Sequence, residues 1–315
     1  MPTIAIIDYG AGNLRSIHKA LQWVAERPPL PPHPPTPSPE RRGGADEAAR
    51  HPHPPTPSPE GRGGAETSDL PSPFRGGLGG GVGVPTTICV TADPAVVAAA
   101  DAVVLPGVGA AGATMRRLAE CNLIAPLQRA ATDGRPFLGV CLGLQLLFTD
   151  LEEDGVAGLG VLPGRARRLP GGVKVPHMGW NTVEMRNAEC GMRNWSTGIF
   201  AGVASDTETS ATNTEAQPSV SIPHSAFRIP HSDVPQSAFR NPQSEVPHFY
   251  FVHSYYVEPA AEAAGAVVGV TTYGLEFCSV LVQGPLWATQ FHPEKSGAAG
   301  LRLLANFVAQ VKDRG

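Results

Sequence analysis

The chain has 315 residues, 42% of them hydrophobic, with a formal net charge of −4, enough for one or two globular domains. That balance gives no electrostatic footprint for nucleic acid or an anionic membrane, and no apolar run reaches membrane-spanning length. Five cysteines, at 89, 121, 141, 190 and 278, are widely spaced without a Cys-x-x-Cys pair, so neither a disulfide framework nor a zinc site is indicated.

Residues 4–8 form an apolar run of strand length closed by Asp8, without the basic segment of a secretory leader, so a cytoplasmic protein is expected. A glycine turn at 10–12 follows. Leu14, Ile17, Leu21 and Val24 have helical spacing, completing a βα unit.

The pattern then collapses. From about 27 to about 85 the chain is proline, glycine, serine and charge, and the stretch at 32–40 recurs letter for letter at 52–60. Proline at every second or third position excludes helix and central strand, and two copies without an apolar face bury no core. The segment reads as a low-complexity insertion, with use as a polyproline ligand the lesser reading.

Order is expected again at 86–90 (strand), 94–100 (helix), 101–105 (strand) and in helical patterns to about 133. The strand 137–140 runs directly into Cys141 and a leucine-rich helical pattern. Beyond Glu153 come short strands at 165–169, 173–175 and 182–185. A second low-complexity insertion spans about 186–247, within which Ser225-Ala226-Phe227-Arg228 returns as Ser237-Ala238-Phe239-Arg240. Strands are expected at 249–255, 266–272, 277–283 and 286–290, and a closing helix at 298–311. Alternating β and α elements with short connections predict an open α/β sheet with helices on both faces. Without the insertions roughly two hundred residues remain, the size of one domain.

Gly139-Val140-Cys141-Leu142-Gly143 has the form of a nucleophile elbow, a strand-to-helix turn so tight that its flanking residues must lack a Cβ. The following helix N-terminus favours a thiolate and an oxyanion. A glycine-flanked cysteine alone is as often a small core thiol. Its partners decide. Past the strand at 286–290 lie His292 and Glu294, two residues apart and so on one side of an extended chain. Thiol attack on a carboxamide needs a nucleophile, a base that later protonates the leaving amine, and a group that orients the base. Cys141, His292 and Glu294 match those roles. Donors for the oxyanion are expected from Leu142 N–H and from the turn Gly107, Val108 and Gly109. Residues 107–112 also fit the dinucleotide fingerprint Gly-x-Gly-x-x-Gly, but they follow a late strand and no strand-end acid appears some twenty residues on. No nicotinamide, flavin or other cofactor is expected.

With these segments the chain resembles the class I, triad-type glutamine amidotransferases. Asp8-Tyr9-Gly10-Ala11-Gly12-Asn13-Leu14, Pro176-His177-Met178-Gly179-Trp180-Asn181, Tyr250-Phe251-Val252-His253-Ser254-Tyr255 and Phe291-His292-Pro293-Glu294-Lys295 are similar to the imidazole glycerol phosphate synthase glutaminases among them. The resemblance implies an open mixed sheet and hydrolysis of glutamine, with Cys141 as nucleophile, His292 as base and acid, and Glu294 as orienter. It also implies glutamine contacts at Gln145, Glu153, Ser254 and Tyr255. Ammonia in neutral water becomes ammonium, which cannot attack, so such a subunit hands its product to a partner. The resemblance makes that partner a (β/α)8-barrel cyclase subunit in a heterodimer, faced by Asn13, Trp180, Tyr250 and Lys295. Other readings stay open: the glutaminase of another synthase, such as one making anthranilate, a non-catalytic scaffold subunit, or a free-standing thiol hydrolase.

Overall fold

The computed structural model describes residues 1–10, 14–27, 85–186 and 247–314. Both low-complexity insertions, Asn13 and the turn residues Ala11 and Gly12 lie outside them.

Short apolar runs open the chain. In order come β1 (Thr3–Ile7), α1 (Leu14–Ala25), β2 (Thr87–Thr91), α2 (Pro94–Ala99), β3 (Ala102–Leu105), α3 (Ala111–Glu120), α4 (Ile124–Thr132), β4 (Phe137–Val140) and α5 (Leu142–Leu146). All four residues of β3 and of β4 are buried, as expected of strands covered on both faces. The second half is strand-rich: β5 (Phe148–Leu151), β6 (Val156–Ala157), β7 (Leu162–Arg168), β8 (His177–Thr182), β9 (Glu184–Met185), β10 (His248–His253), β11 (Tyr255–Pro259), β12 (Val267–Thr272), β13 (Glu276–Gln283) and β14 (Leu286–Thr289). The helix α6 (Gly297–Lys312) closes the chain.

The main sheet runs β2-β1-β3-β4-β14-β13-β11-β7-β5-β6, with β12 and β9 attached through β13. The first five strands are mutually parallel, and β14–β13, β13–β11 and β11–β7 are antiparallel. The sheet is therefore mixed. Alternate residues of its parallel strands feed two cores. Ile4, Ile6, Val104 and Val140 pack with Ile17 and Leu21 of α1 and with Leu304, Phe307 and Val308 of α6. Ile7, Val103, Leu105 and Phe137 pack with Leu118 of α3, Leu127 of α4 and Leu144 of α5. Helices thus cover both faces. β8 and β10 form a separate antiparallel pair.

Several boundaries differ from the expectations. The helical pattern after Cys141 stops at Leu146, and Phe148 begins a strand. Residues 173–175 belong to no strand; Val173 is half-buried against the core and its side chain fills the space beside Gly274. The strand expected at 249–255 breaks at Ser254, because β10 pairs with β8 whereas β11 joins the main sheet. The stretch at 182–185 divides likewise between β8 and β9. Alternation reveals that a strand exists; which sheet takes it depends on distant partners.

Candidate active site

Strand register brings the site together. β4 and β14 are parallel neighbours with Val140 opposite Thr289, and β3 pairs with β4 with Leu105 opposite Gly139. One residue beyond these pairs, at the carboxyl ends where parallel-sheet sites form, stand Cys141, Gln290 and Pro106. Cys141 and Gln290, 149 positions apart in sequence, thus stand side by side at one edge of the sheet.

The elbow is as tight as its glycines require. A Cβ on Gly143 would lie 1.9 Å from the Leu105 carbonyl oxygen, and one on Gly139 would lie 3.0 Å from the Gly143 carbonyl oxygen. Cys141 itself has φ 54° and ψ −105°, a strained conformation for a residue with a side chain. Its N–H donates to Thr289 O at 2.7 Å, which locks the elbow to β14. Cys141 is 5% exposed. Gln290 Nε2 donates towards Sγ at 3.6 Å, and Sγ stands 3.8 Å from the Val252 carbonyl of β10.

His292 and Glu294 are in contact, Nδ1 to Oε1, at 2.8 Å, and both side chains are fully buried. A 3-10 turn at Pro293–Lys295 makes this contact, in place of the extended geometry expected from the sequence. The Ser296 hydroxyl donates to the His292 carbonyl at 2.7 Å and steadies the turn. Burial disfavours a charged imidazole. Cys141, through its charge and a side-chain hydrogen bond, and Glu294 more than offset that and push His292 up to about 10. Thiol, imidazole and carboxylate therefore lie in one buried series, with the thiol close enough to the ring to act on its charge.

The turn after β3 sits on the elbow. A Cβ on Gly107 would strike Leu142 Cβ at 2.5 Å and Gly143 N at 2.7 Å. Gly109 has φ +107°, a conformation left to glycine. The Tyr9 hydroxyl donates to Pro106 O at 2.8 Å. Burial, and next the charge Cys141 can carry, push the Tyr9 phenol up, so it stays a neutral donor. Glu153 Oε2 accepts the Ala111 N–H at 2.7 Å, tying the far end of the turn to the segment after β5.

Gln145 is buried, and its Nε2 donates to Tyr255 O at 2.9 Å and to Gln290 Oε1 at 3.2 Å. Tyr255 is half-buried, and burial followed by the charge of Glu153 raises its phenol. The carbonyl of the half-buried Ser254 accepts the Leu169 N–H at 2.9 Å. On the outer side Trp180, 45% exposed, meets Tyr250 edge-on at 6.0 Å between ring centroids, and Lys295 Nζ lies 5.9 Å from the Tyr250 centroid. These three residues form one patch.

Three participants were not read from the sequence. Gln290 and the Val252 carbonyl touch the thiol, and Tyr9 touches the glycine turn. Only strand register could have placed them. His253, a buried neighbour, bonds His177 at 3.0 Å and Tyr255 O at 2.8 Å.

Known proteins resemble this chain at the level of family and fold. The family described as glutamine amidotransferase class-I matches residues 82–311. The imidazole glycerol phosphate synthase subunit HisH of Synechococcus elongatus is 42% identical over 224 residues, covering 70% of this chain and 81% of that protein. The protein of the same name from Geobacter metallireducens is 35% identical over 315 residues, covering 98% of each. Among solved structures, the glutaminase domain of Trypanosoma brucei CTPS with bound acivicin superposes with a TM-score of 0.50 at 13% identity, covering 99% of this chain and 94% of that one; this likeness speaks for the fold alone. The chain belongs to the class-I glutamine amidotransferases, within the family of imidazole glycerol phosphate synthase HisH subunits.

Proposed function

We propose that this protein hydrolyses glutamine and delivers the ammonia to a (β/α)8-barrel cyclase subunit, making imidazole glycerol phosphate and aminoimidazole carboxamide ribonucleotide in histidine biosynthesis. The single observation that carries the reading is the buried Cys141, His292 and Glu294 series, with the 2.8 Å contact of its last two members, in a chain of the HisH family.

Cys141 Sγ attacks the side-chain carbonyl carbon of glutamine. The proton that the sulfur gives up already rests on His292 Nε2 and goes on to the departing amine, which leaves as ammonia, while Glu294 holds the ring by Nδ1. The γ-glutamyl thioester is then cut by water, whose proton goes first to His292 and then to the sulfur as glutamate departs. The oxyanion of each tetrahedral state is met by the Leu142 N–H and by backbone N–H groups of Gly107, Val108 and Gly109. Gln145, Glu153, Ser254 and Tyr255 line the glutamine pocket, supported by the Gln145–Tyr255 bond and the charge coupling between Tyr255 and Glu153. Trp180, Tyr250 and Lys295 face the barrel, with Asn13, in a cytoplasmic heterodimer. The chain acts as one amidotransferase domain across 1–315, interrupted at about 27–85 and about 186–247. Among the described residues no helix is long and apolar enough to cross a membrane.

The test is glutamate release with and without the barrel subunit and its nucleotide ligand. Release by the wild type should rise with the partner, and Cys141→Ala should abolish it; stimulation that survives Cys141→Ala would refute the proposal.

A further inference from the structure

Two buried glutamines stand behind the nucleophile. Gln290 follows β14 and is fully buried; Gln145 lies in α5 and is 5% exposed. Strand register fixes the first, since Val140 is opposite Thr289 and the Gln290 N–H donates to Ser279 O at 2.9 Å. Helical register fixes the second, one turn after Cys141, where its N–H donates to the Cys141 carbonyl at 3.3 Å.

Which way each side-chain amide faces follows from its partners. The Tyr255 carbonyl can only accept, and it takes Gln145 Nε2 at 2.9 Å and His253 Nδ1 at 2.8 Å. Gln145 therefore turns its nitrogen to that carbonyl, and its second N–H reaches Gln290 Oε1 at 3.2 Å. That bond keeps the Gln290 oxygen on the side of Gln145 and its nitrogen on the side of the nucleophile, with Nε2 3.6 Å from Cys141 Sγ. With Gln290 turned over, two NH2 groups would oppose each other and an oxygen would face the sulfur.

Two groups of opposite sense thus meet Sγ. The Val252 carbonyl at 3.8 Å can accept from an S–H but repels a sulfur anion. The Gln290 N–H donates and favours the anion, and hydrogen bonds to an ionised partner are the stronger kind. His292 is the third group at the sulfur, coupled to it through charge. We propose that Gln290 is a positioning residue that holds Cys141 as an aimed thiolate: its amide, turned by Gln145 and the Tyr255 carbonyl, gives the sulfur a donor and opposes the Val252 carbonyl. The sulfur then waits charged and in place, and no proton has to leave it during attack. This role rests on the amidotransferase reading above and adds the residue that keeps the nucleophile ready.

The experiment is Gln290→Met, which keeps the length of the side chain and removes its polar end. Full-length protein is treated with iodoacetamide at neutral pH, and alkylation is followed by the mass of the peptide containing Cys141. Its rate should fall about tenfold, the lower reach of a hydrogen bond to a charged group, and kcat for glutamate release with the barrel subunit should fall by a like factor. Changing a residue that only fills space would loosen the pocket, so alkylation as fast as in the wild type, or faster, overturns the role. A second measurement leaves Gln290 in place: its side-chain amide resonances should shift between the wild type and Cys141→Ala, and unmoved resonances also overturn the role. A wild type that releases no glutamate even with its partner would overturn the functional reading and with it the use of the thiolate; alkylation, which involves no glutamine, tells the two failures apart.

Discussion

The His292 N–H donates to the Tyr250 carbonyl at 2.9 Å. The residue assigned as base therefore hangs from the same strand, β10, whose Tyr250 ring meets Trp180 and Lys295 on the outside. Two residues further along β10, the Val252 carbonyl faces the thiol. One strand thus links the exposed aromatic patch to both ends of the nucleophile–base pair.

Trp180→Ala tests that link. Exposed aromatic residues at the centre of an interface commonly contribute more than 1 kcal/mol on truncation, about tenfold or more in partner affinity. Titration of the barrel subunit against glutamate release should show the half-saturating concentration raised by that factor, while the partner-free rate stays as in the wild type. An unchanged titration curve would remove Trp180 from the interface.

The Glu294 contact should set the pH range of activity. Against its burial, Cys141 first and the Glu294 carboxylate next hold His292 up to about 10, so the imidazole remains protonated across neutrality and the upper limb of the rate profile lies in the alkaline range. In Glu294→Gln the neutral amide no longer favours the imidazolium, and the upper limb should move to lower pH. A fall in kcat of about 10²- to 10⁴-fold, the usual reach of positioned acid–base catalysis, should accompany it with little change in KM. A profile that keeps its upper limb would contradict the orienting role.

The elbow's strain can be read in stability. Cys141 has φ 54°, where an L side chain is unfavourable and glycine is not. Cys141→Gly should therefore unfold at a higher temperature than Cys141→Ala, by a difference of about 1–2 kcal/mol, although both are inactive. Equal melting temperatures would mean that the elbow carries no strain.

Acid stability should report the buried histidine pair. Burial pushes His177 down to about 4, and burial first and the neighbouring charges next push His253 down to about 3. Both are neutral bases in the folded protein but gain protons near 6.5 when unfolded. The unfolded chain thus binds more protons below 6.5, and the stability due to this pair is complete above that pH and lost as pH falls towards 4. Thermal unfolding of His253→Gln should depend less steeply on pH between 6.5 and 4 than the wild type. Identical slopes would show that the pair does not titrate as described.

Much of the fold was legible because local patterns carried it. Ile17, Leu21 and Val24 bury the face that their spacing marks, and Gly139 and Gly143 occupy the positions where a Cβ would meet backbone. Strand allegiance was not legible. His253 and Tyr255 lie two apart in sequence, yet one pairs with His177 of β8 and the other with Arg168 of β7. The same limit hid Gln290, which reads as a strand end until the Val140–Thr289 register sets it beside Cys141. The His292–Glu294 pair was legible from its spacing, but the turn that joins them was not.

The most direct test of the account is to catch the acyl enzyme. Wild-type protein with its barrel partner and ligand is mixed with glutamine, quenched in acid within a turnover, digested and weighed. The account expects a γ-glutamyl mass on the peptide containing Cys141, absent from Cys141→Ala and prolonged in any variant that slows thioester hydrolysis. Glutamate formed steadily while that peptide never carries the added mass would contradict it.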